Sequence, residues 1–162
     1  MVGDRETMKT RYKQSGFTFI EVMIAMLVLS VALLGIASIS SKVIQGNSFS
    51  EHFTTGTVLA QDKLEELTNL DFTDSSLDDT NAGNNSTTGL LGTSVTDYQE
   101  TQVDANGNAG VTGGVYTRTW NIWDRTDLTN PASRKDIAVI VTWQDATGST
   151  RTVTVSSIKS GT

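Results

Sequence analysis

Glu21 is a single carboxylate at the head of an apolar run, in the order Gly16-Phe17-Thr18-Phe19-Ile20-Glu21. A full charge at a bilayer centre costs about 2.5–3.5 kcal/mol on insertion scales, so a carboxylate here calls for a reason. Local chemistry offers one. Thr18-x-x-Glu21 has the spacing of a capping box, in which Thr18 caps a helix start and Glu21 reaches back to its backbone N–H. A glutamate in a first turn also complements the helix dipole.

Residues suited to other chemistry are sparse. The chain has no cysteine, which excludes disulfides, thiolate zinc sites and cysteine nucleophiles. His52 is the one histidine, and a solvated helix face is its expected place. Asp104-Ala105-Asn106-Gly107-Asn108-Ala109-Gly110 begins like a calcium loop, but Ala109 and Val115 stand where glycine and a bidentate glutamate belong, so a turn is expected. Asp124 and Asp127 beside Trp123 are weak calcium candidates. Gly113-Gly114 has no phosphate-loop context. Trp120, Trp123 and Trp143 could stack on DNA or sugar, but an acidic chain favours core or subunit contacts. No nucleophile–base pair emerges, so neither enzymatic activity nor a cofactor is expected.

These residues depend on a segmented chain. The segment before Phe17 carries Arg5, Lys9, Arg11 and Lys13 against Asp4 and Glu6, a net +2 within a formal net charge of −6, so the remainder carries −8. That balance argues against nucleic acid as a partner. Phe17 to Ile39 holds about twenty apolar or small residues, enough to cross a hydrocarbon core of about 30 Å. The basic residues before it place the N-terminus on the cytoplasmic side and the C-terminal part across the membrane. A secretory signal has a shorter apolar region, followed by a small-residue cleavage site, for which Ala37-Ser38-Ile39-Ser40 is a poor match. An uncleaved anchor is the other simple alternative.

Phe49, Phe53, Gly56, Ala60, Leu64 and Leu67 then recur at spacings of three and four, predicting an amphipathic helix with a core-packing stripe. Gly35, Gly46 and Gly56 mark bends or close contacts along it. Residues 71–114 are rich in Asp, Asn, Thr, Ser and Gly and read as loop, with one short strand near Val95 to Val103. Val115 to Trp123 alternates, placing Tyr116, Arg118, Trp120 and Ile122 on one side. Ile137, Val139, Val141 and Trp143 alternate again. Asp145-Ala146-Thr147-Gly148 supplies a turn into a strand from Arg151 to Ile158. The expected fold is α+β, a long N-terminal helix packed on a small antiparallel sheet. Its segments are 1–16, 17–39 (spanning helix), 40–70 (amphipathic continuation), 71–114 (polar loop) and 115–162 (sheet).

Glycine, phenylalanine, a few apolar residues and glutamate heading a span resemble the type IV prepilin signal of pilins and type II secretion pseudopilins. Val58 to Leu67 is similar to the corresponding stretch of minor pilins and pseudopilins. Lys135 to Asp145 resembles PilV-type minor pilins, the type IV pilus modification proteins. The resemblance implies that 1–16 is a leader, that a prepilin peptidase cuts between Gly16 and Phe17, and that Phe17 is N-methylated. It implies a role for Glu21 in pairing with the N-terminal amine of a neighbouring subunit. The implied partners are the peptidase, other pilin subunits through their N-terminal helices, and an inner-membrane assembly platform. The implied location is the bacterial inner membrane, then a pilus or pseudopilus. Many major pilins carry a C-terminal disulfide loop and a proline in the span. Here there is no cysteine, and the one proline is Pro131. Both departures point to a minor pilin, with a minor pseudopilin or a membrane-tethered periplasmic binding domain as alternatives.

Overall fold

The computed structural model describes residues 16–125 and 134–161. By its contacts the chain divides into two units, Met1–Val43 and Ile44–Thr162, and the boundary falls within helix α1 (Phe19–Asn69). In the first unit the described residues are Gly16 to Thr18 and the start of α1.

In the second unit, the later turns of α1 bury Gly56, Leu59, Ala60, Lys63 and Leu67. They pack on strands β1 (Tyr98–Val103), β2 (Tyr116–Asp124), β3 (Arg134–Gln144) and β4 (Thr150–Ser160). The strands form an antiparallel meander in the order β1-β2-β3-β4. The architecture is therefore α+β, a long N-terminal helix on a small antiparallel sheet. Alternation set the inward face of the sheet as read from the sequence. Tyr116, Trp120 and Ile122 of β2 and Ile137, Val139, Val141 and Trp143 of β3 all enter the core. The β3–β4 hairpin also forms as expected, with Val139 opposite Val155 and Gln144 opposite Thr150.

Two features of the helix differ from the expected stripe. Phe49 and Phe53 stack on each other with ring centroids 6.1 Å apart, yet they stay 43% and 47% exposed. Helical spacing identifies a face but says nothing of how far the covering sheet extends, and the buried part begins only at Gly56. His52 does not sit on a solvated face. It is half-buried, and its Nδ1 lies 2.8 Å from the Tyr116 hydroxyl on β2. Of the three helix glycines, Gly56 alone has a close neighbour. A Cβ there would lie 2.9 Å from Trp143 Cζ3, whereas Gly35 and Gly46 face open space.

Residues 71–97 carry no apolar periodicity, but they are tied down by polar side chains. Short turns at Ser75–Leu77, Ala82–Asn84 and Thr87–Leu90 are capped by Asp74, Asn81 and Ser86. Leu77 enters the core on the helix side. On the other face of the sheet, Asn121 Nδ2 donates to the carbonyls of Leu90 and Gly92, each at 2.9 Å. The Asp97 carboxylate gathers the segment, accepting from the backbone N–H of Thr80 (2.9 Å), Asn81 (2.7 Å) and Ile122 (2.7 Å). The Tyr98 hydroxyl donates to Ser75 O at 2.7 Å and Asp78 O at 3.1 Å. Burial pushes that phenol above its ordinary range, and the charges of Asp78 and Asp97 add to the shift.

Two turns need unusual backbone. The β1–β2 register slips between Glu100 and Val103, where Gln102 adopts φ 54°. A Cβ on Gly114 would fall 2.2 Å from Gln102 O, so glycine is required opposite this bulge. In the β3–β4 turn, Asp145 Oδ1 accepts from the N–H of Thr147 (2.8 Å) and Ser149 (3.0 Å), and Oδ2 accepts from Arg151 Nε (2.8 Å). Hydrogen bonds from Thr147 and Arg151 hold this carboxyl well below the usual carboxylate range.

Gly56→Val should destabilise the second unit by about 1–3 kcal/mol through overpacking against Trp143. Gly46→Ala should be neutral or stabilising by up to about 1 kcal/mol. Denaturation of the full chain in detergent micelles reads both, and equal midpoints for the two variants would contradict the close contact. A depressed Asp145 carboxyl stabilises the folded turn above its unfolded value of 3.8 and loses that contribution as pH falls toward the folded value. Carboxyl-carbon NMR should show Asp145 titrating below 3.8, and a midpoint at 3.8 would contradict the turn geometry.

Candidate processing and assembly segment

The candidate segment lies in the first unit. Gly16, Phe17 and Thr18 precede the helix, and α1 begins at Phe19. Thr18 caps the first turn. Its carbonyl accepts from the N–H of Glu21 (3.1 Å) and Val22 (3.3 Å), and its hydroxyl accepts from Glu21 N at 3.3 Å. Half of the capping box is therefore in place. The reciprocal half is not, because among the described residues the Glu21 carboxylate makes no hydrogen bond or ion pair. The local fold satisfies the backbone around Glu21 and leaves its carboxylate without a partner among the described residues.

Helical spacing puts Glu21 with Phe17, Val22, Ala25, Met26 and Leu29 along one shallow groove. The groove wall is apolar, so an ionic partner reaching Glu21 would be surrounded by hydrocarbon. Gly16 has a different character. A Cβ there would meet nothing within 4 Å among the described residues. No described neighbour asks for glycine at this position.

The helix is long and apolar enough to cross a membrane. Its most apolar window has a mean hydropathy of 2.7, and none of that window is buried within the chain. Phe17 is 83% exposed and Phe19 81%. A contiguous apolar surface of this extent marks contact with lipid or with other protein. The uncovered helix is thus the part of the chain that needs surroundings.

The remaining candidates are spread through the second unit. Asp124 is engaged, with Oδ1 3.2 Å from Lys135 Nζ. Asp127 lies outside the described residues. Asp104 forms a closed turn, its carboxylate accepting from Asn106 N, Asn108 N and Asn108 Nδ2. Trp120 and Trp143 are core residues, and the Arg125 guanidinium sits 4.2 Å over the half-buried Trp123 ring. Among the described residues no group of three or more His, Asp or Glu side chains is arranged to hold a metal ion.

A buried charge cluster was missed in the sequence. Lys63 Nζ is 2.9 Å from Glu66 and 3.5 Å from Glu100, and it lies 4.3 Å from the Trp120 ring centroid. Arg118 Nε donates to Glu100 Oε2 at 2.8 Å. A lysine on a helix ordinarily reads as solvated. Here its apolar stem covers an indole and its ammonium meets carboxylates at the seam.

Residues 11–37 match the family described as the prokaryotic N-terminal methylation motif. This match includes Gly16, Phe17 and Glu21 and extends through most of the apolar run. No curated protein and no solved structure gives a match.

Proposed function

We propose that this chain is a minor type IV pilin, a structural subunit rather than an enzyme. In this reading, a prepilin peptidase cuts between Gly16 and Phe17 and Phe17 becomes the methylated N-terminus. The carrying observation is the Glu21 carboxylate, which has no partner within the described chain yet lies on an uncovered apolar helix inside the methylation motif.

The physics of pairing explains why such a carboxylate is kept. Two unit charges 4 Å apart attract by about 1 kcal/mol in bulk water and by about 4 kcal/mol at an effective dielectric of 20. Desolvation makes either charge costly alone. The new amine of Phe17 on one subunit and Glu21 on its neighbour would therefore favour one axial register among otherwise uniform apolar helices. Gly16 fits the same reading. The fold leaves the position free, so the demand for glycine comes from the enzyme that must accommodate the peptide bond after it.

The polar second unit carries no disulfide, since the chain has no cysteine. That supports a minor rather than a major subunit, one that primes, caps or modifies a filament. A minor pseudopilin of a type II secretion system would use the same pairing.

Glu21→Ala removes the charge whose burial costs about 2.5–3.5 kcal/mol on insertion scales, so it should insert in the membrane at least as well as the parent. It should be absent from sheared filaments, and Glu21→Gln should behave alike because it keeps the size but not the charge. Quantitative immunoblots of membrane and filament fractions read both. Normal incorporation of either variant would remove the pairing, and a parent chain that never leaves the membrane fraction would favour a tethered domain.

A further inference from the structure

Five buried side-chain polar atoms lack a hydrogen-bond partner among the described residues. Two are the indole nitrogens of Trp120 and Trp143, and the other three are oxygens: Asp79 Oδ1, Asn84 Oδ1 and Asn85 Oδ1. All three oxygens belong to one short stretch between α1 and β1.

Exchanging amide oxygen and nitrogen does not rescue them. Asn85 Nδ2 donates to Asp79 Oδ2 at 2.6 Å, and Asn84 Nδ2 donates to Asp97 Oδ2 at 3.0 Å. A flip of either amide would set oxygen against carboxylate oxygen. The carboxylates therefore fix both amides, and each fixed amide leaves its carbonyl oxygen without a donor. Asn84 is wholly buried, so bulk water does not fill the gap.

Charge is out of balance at the same place. Asp79 Oδ2 accepts from Asn85 Nδ2 and, at 3.4 Å, from Asp124 N, and both donors are neutral. Asp97 also draws only on neutral donors, namely Thr80, Asn81, Asn84 and Ile122. The ammonium of Lys135 is taken by Leu77 O at 2.6 Å and by Asp124. A buried carboxylate oxygen without donor or counter-ion favours a cation.

We propose that Asp79, Asn84 and Asn85 form a calcium-class cation site on the loop between α1 and β1, with the three orphaned oxygens as its protein ligands. The 2.6 Å bond between Asn85 and Asp79 brings those two side-chain heads together, and Asn84 adjoins Asn85 in the chain. The donor set is all oxygen, one carboxylate and two amides. That suits calcium, which tolerates irregular geometry and completes its shell with carbonyls and water, whereas magnesium demands a near-ideal octahedron. Zinc would seek nitrogen or sulfur. One carboxylate ligand places the affinity in the weak class, with Kd of roughly 10⁻⁴–10⁻³ M. The ion would tie the polar segment to the end of β2, through Asp124 N on one side and Asp97 on the other.

The test is calorimetric titration of the chelator-treated full chain in detergent micelles with calcium chloride, independent of any processing at Gly16. One calcium per chain is expected, with magnesium chloride giving no competition at equal concentration. Asp79→Asn keeps the shape, removes the one charged ligand, and should weaken binding at least about tenfold. Asp104→Asn, in the other Asp–Asn loop, should leave binding unchanged. If Asp79→Asn does not fold, the parent chain still decides, because calcium and not magnesium should raise its melting temperature. No heat and no thermal shift up to about ten times the expected Kd would overturn the site. So would calcium binding that survives Asp79→Asn, or that is lost in Asp104→Asn.

Discussion

An apolar helix surface that its own chain leaves uncovered can persist only in lipid or against other apolar helices. Residues 17–41 present such a surface, and Glu21 is the single charge on it. Hydrocarbon packing alone is nearly indifferent to axial register, because one aliphatic side chain replaces another at small cost. A lone carboxylate changes that, since the arrangement that pairs it is strongly preferred to those that do not. The half-formed capping box is consistent with this division of labour. Thr18 completes the helix start, and the carboxylate of Glu21 stays available.

The second unit solves a different problem, building a packed core under a long polar segment. Its sheet buries one face against α1, where glycine at 56 admits the Trp143 ring. Around that core, ionic and amide groups substitute for apolar bulk. Lys63, Arg118 and Glu100 close one edge, while Asp97 and Asn121 hold the polar segment on the sheet. Hydrogen bonds of this kind are specific to one geometry, so they define the fold even where they add little net stability.

Elements with a period were legible in the sequence. The apolar run stood out by composition, and β2, β3 and β4 by alternation, because each buries a face against one partner. The helix stripe has the phase its spacing predicts but is shorter, since Phe49 and Phe53 share the periodicity without the cover. Residue type alone suggests a solvated face for His52 and gives no sign of the Lys63 cluster, because their neighbours come from strands far along the chain. The polar segment was legible only as loop. What orders it is a set of contacts to Asp97 and Asn121, whose sequence separations carry no period. At the candidate segment, the residue pattern itself carries the signal, and the structure adds that, among the described residues, the Glu21 carboxylate has no partner and a Cβ on Gly16 would meet no neighbour.

In the proposed function, the chain is cut and methylated so that Phe17 heads an assembling helix. The most direct test of that proposal is the intact mass and N-terminal sequence of the protein from membranes and sheared filaments of its native host. A processed subunit would begin with N-methyl-Phe17 and be present in the filament fraction. A chain that retains the residues before Gly16, or one that begins near Ser41, would contradict it.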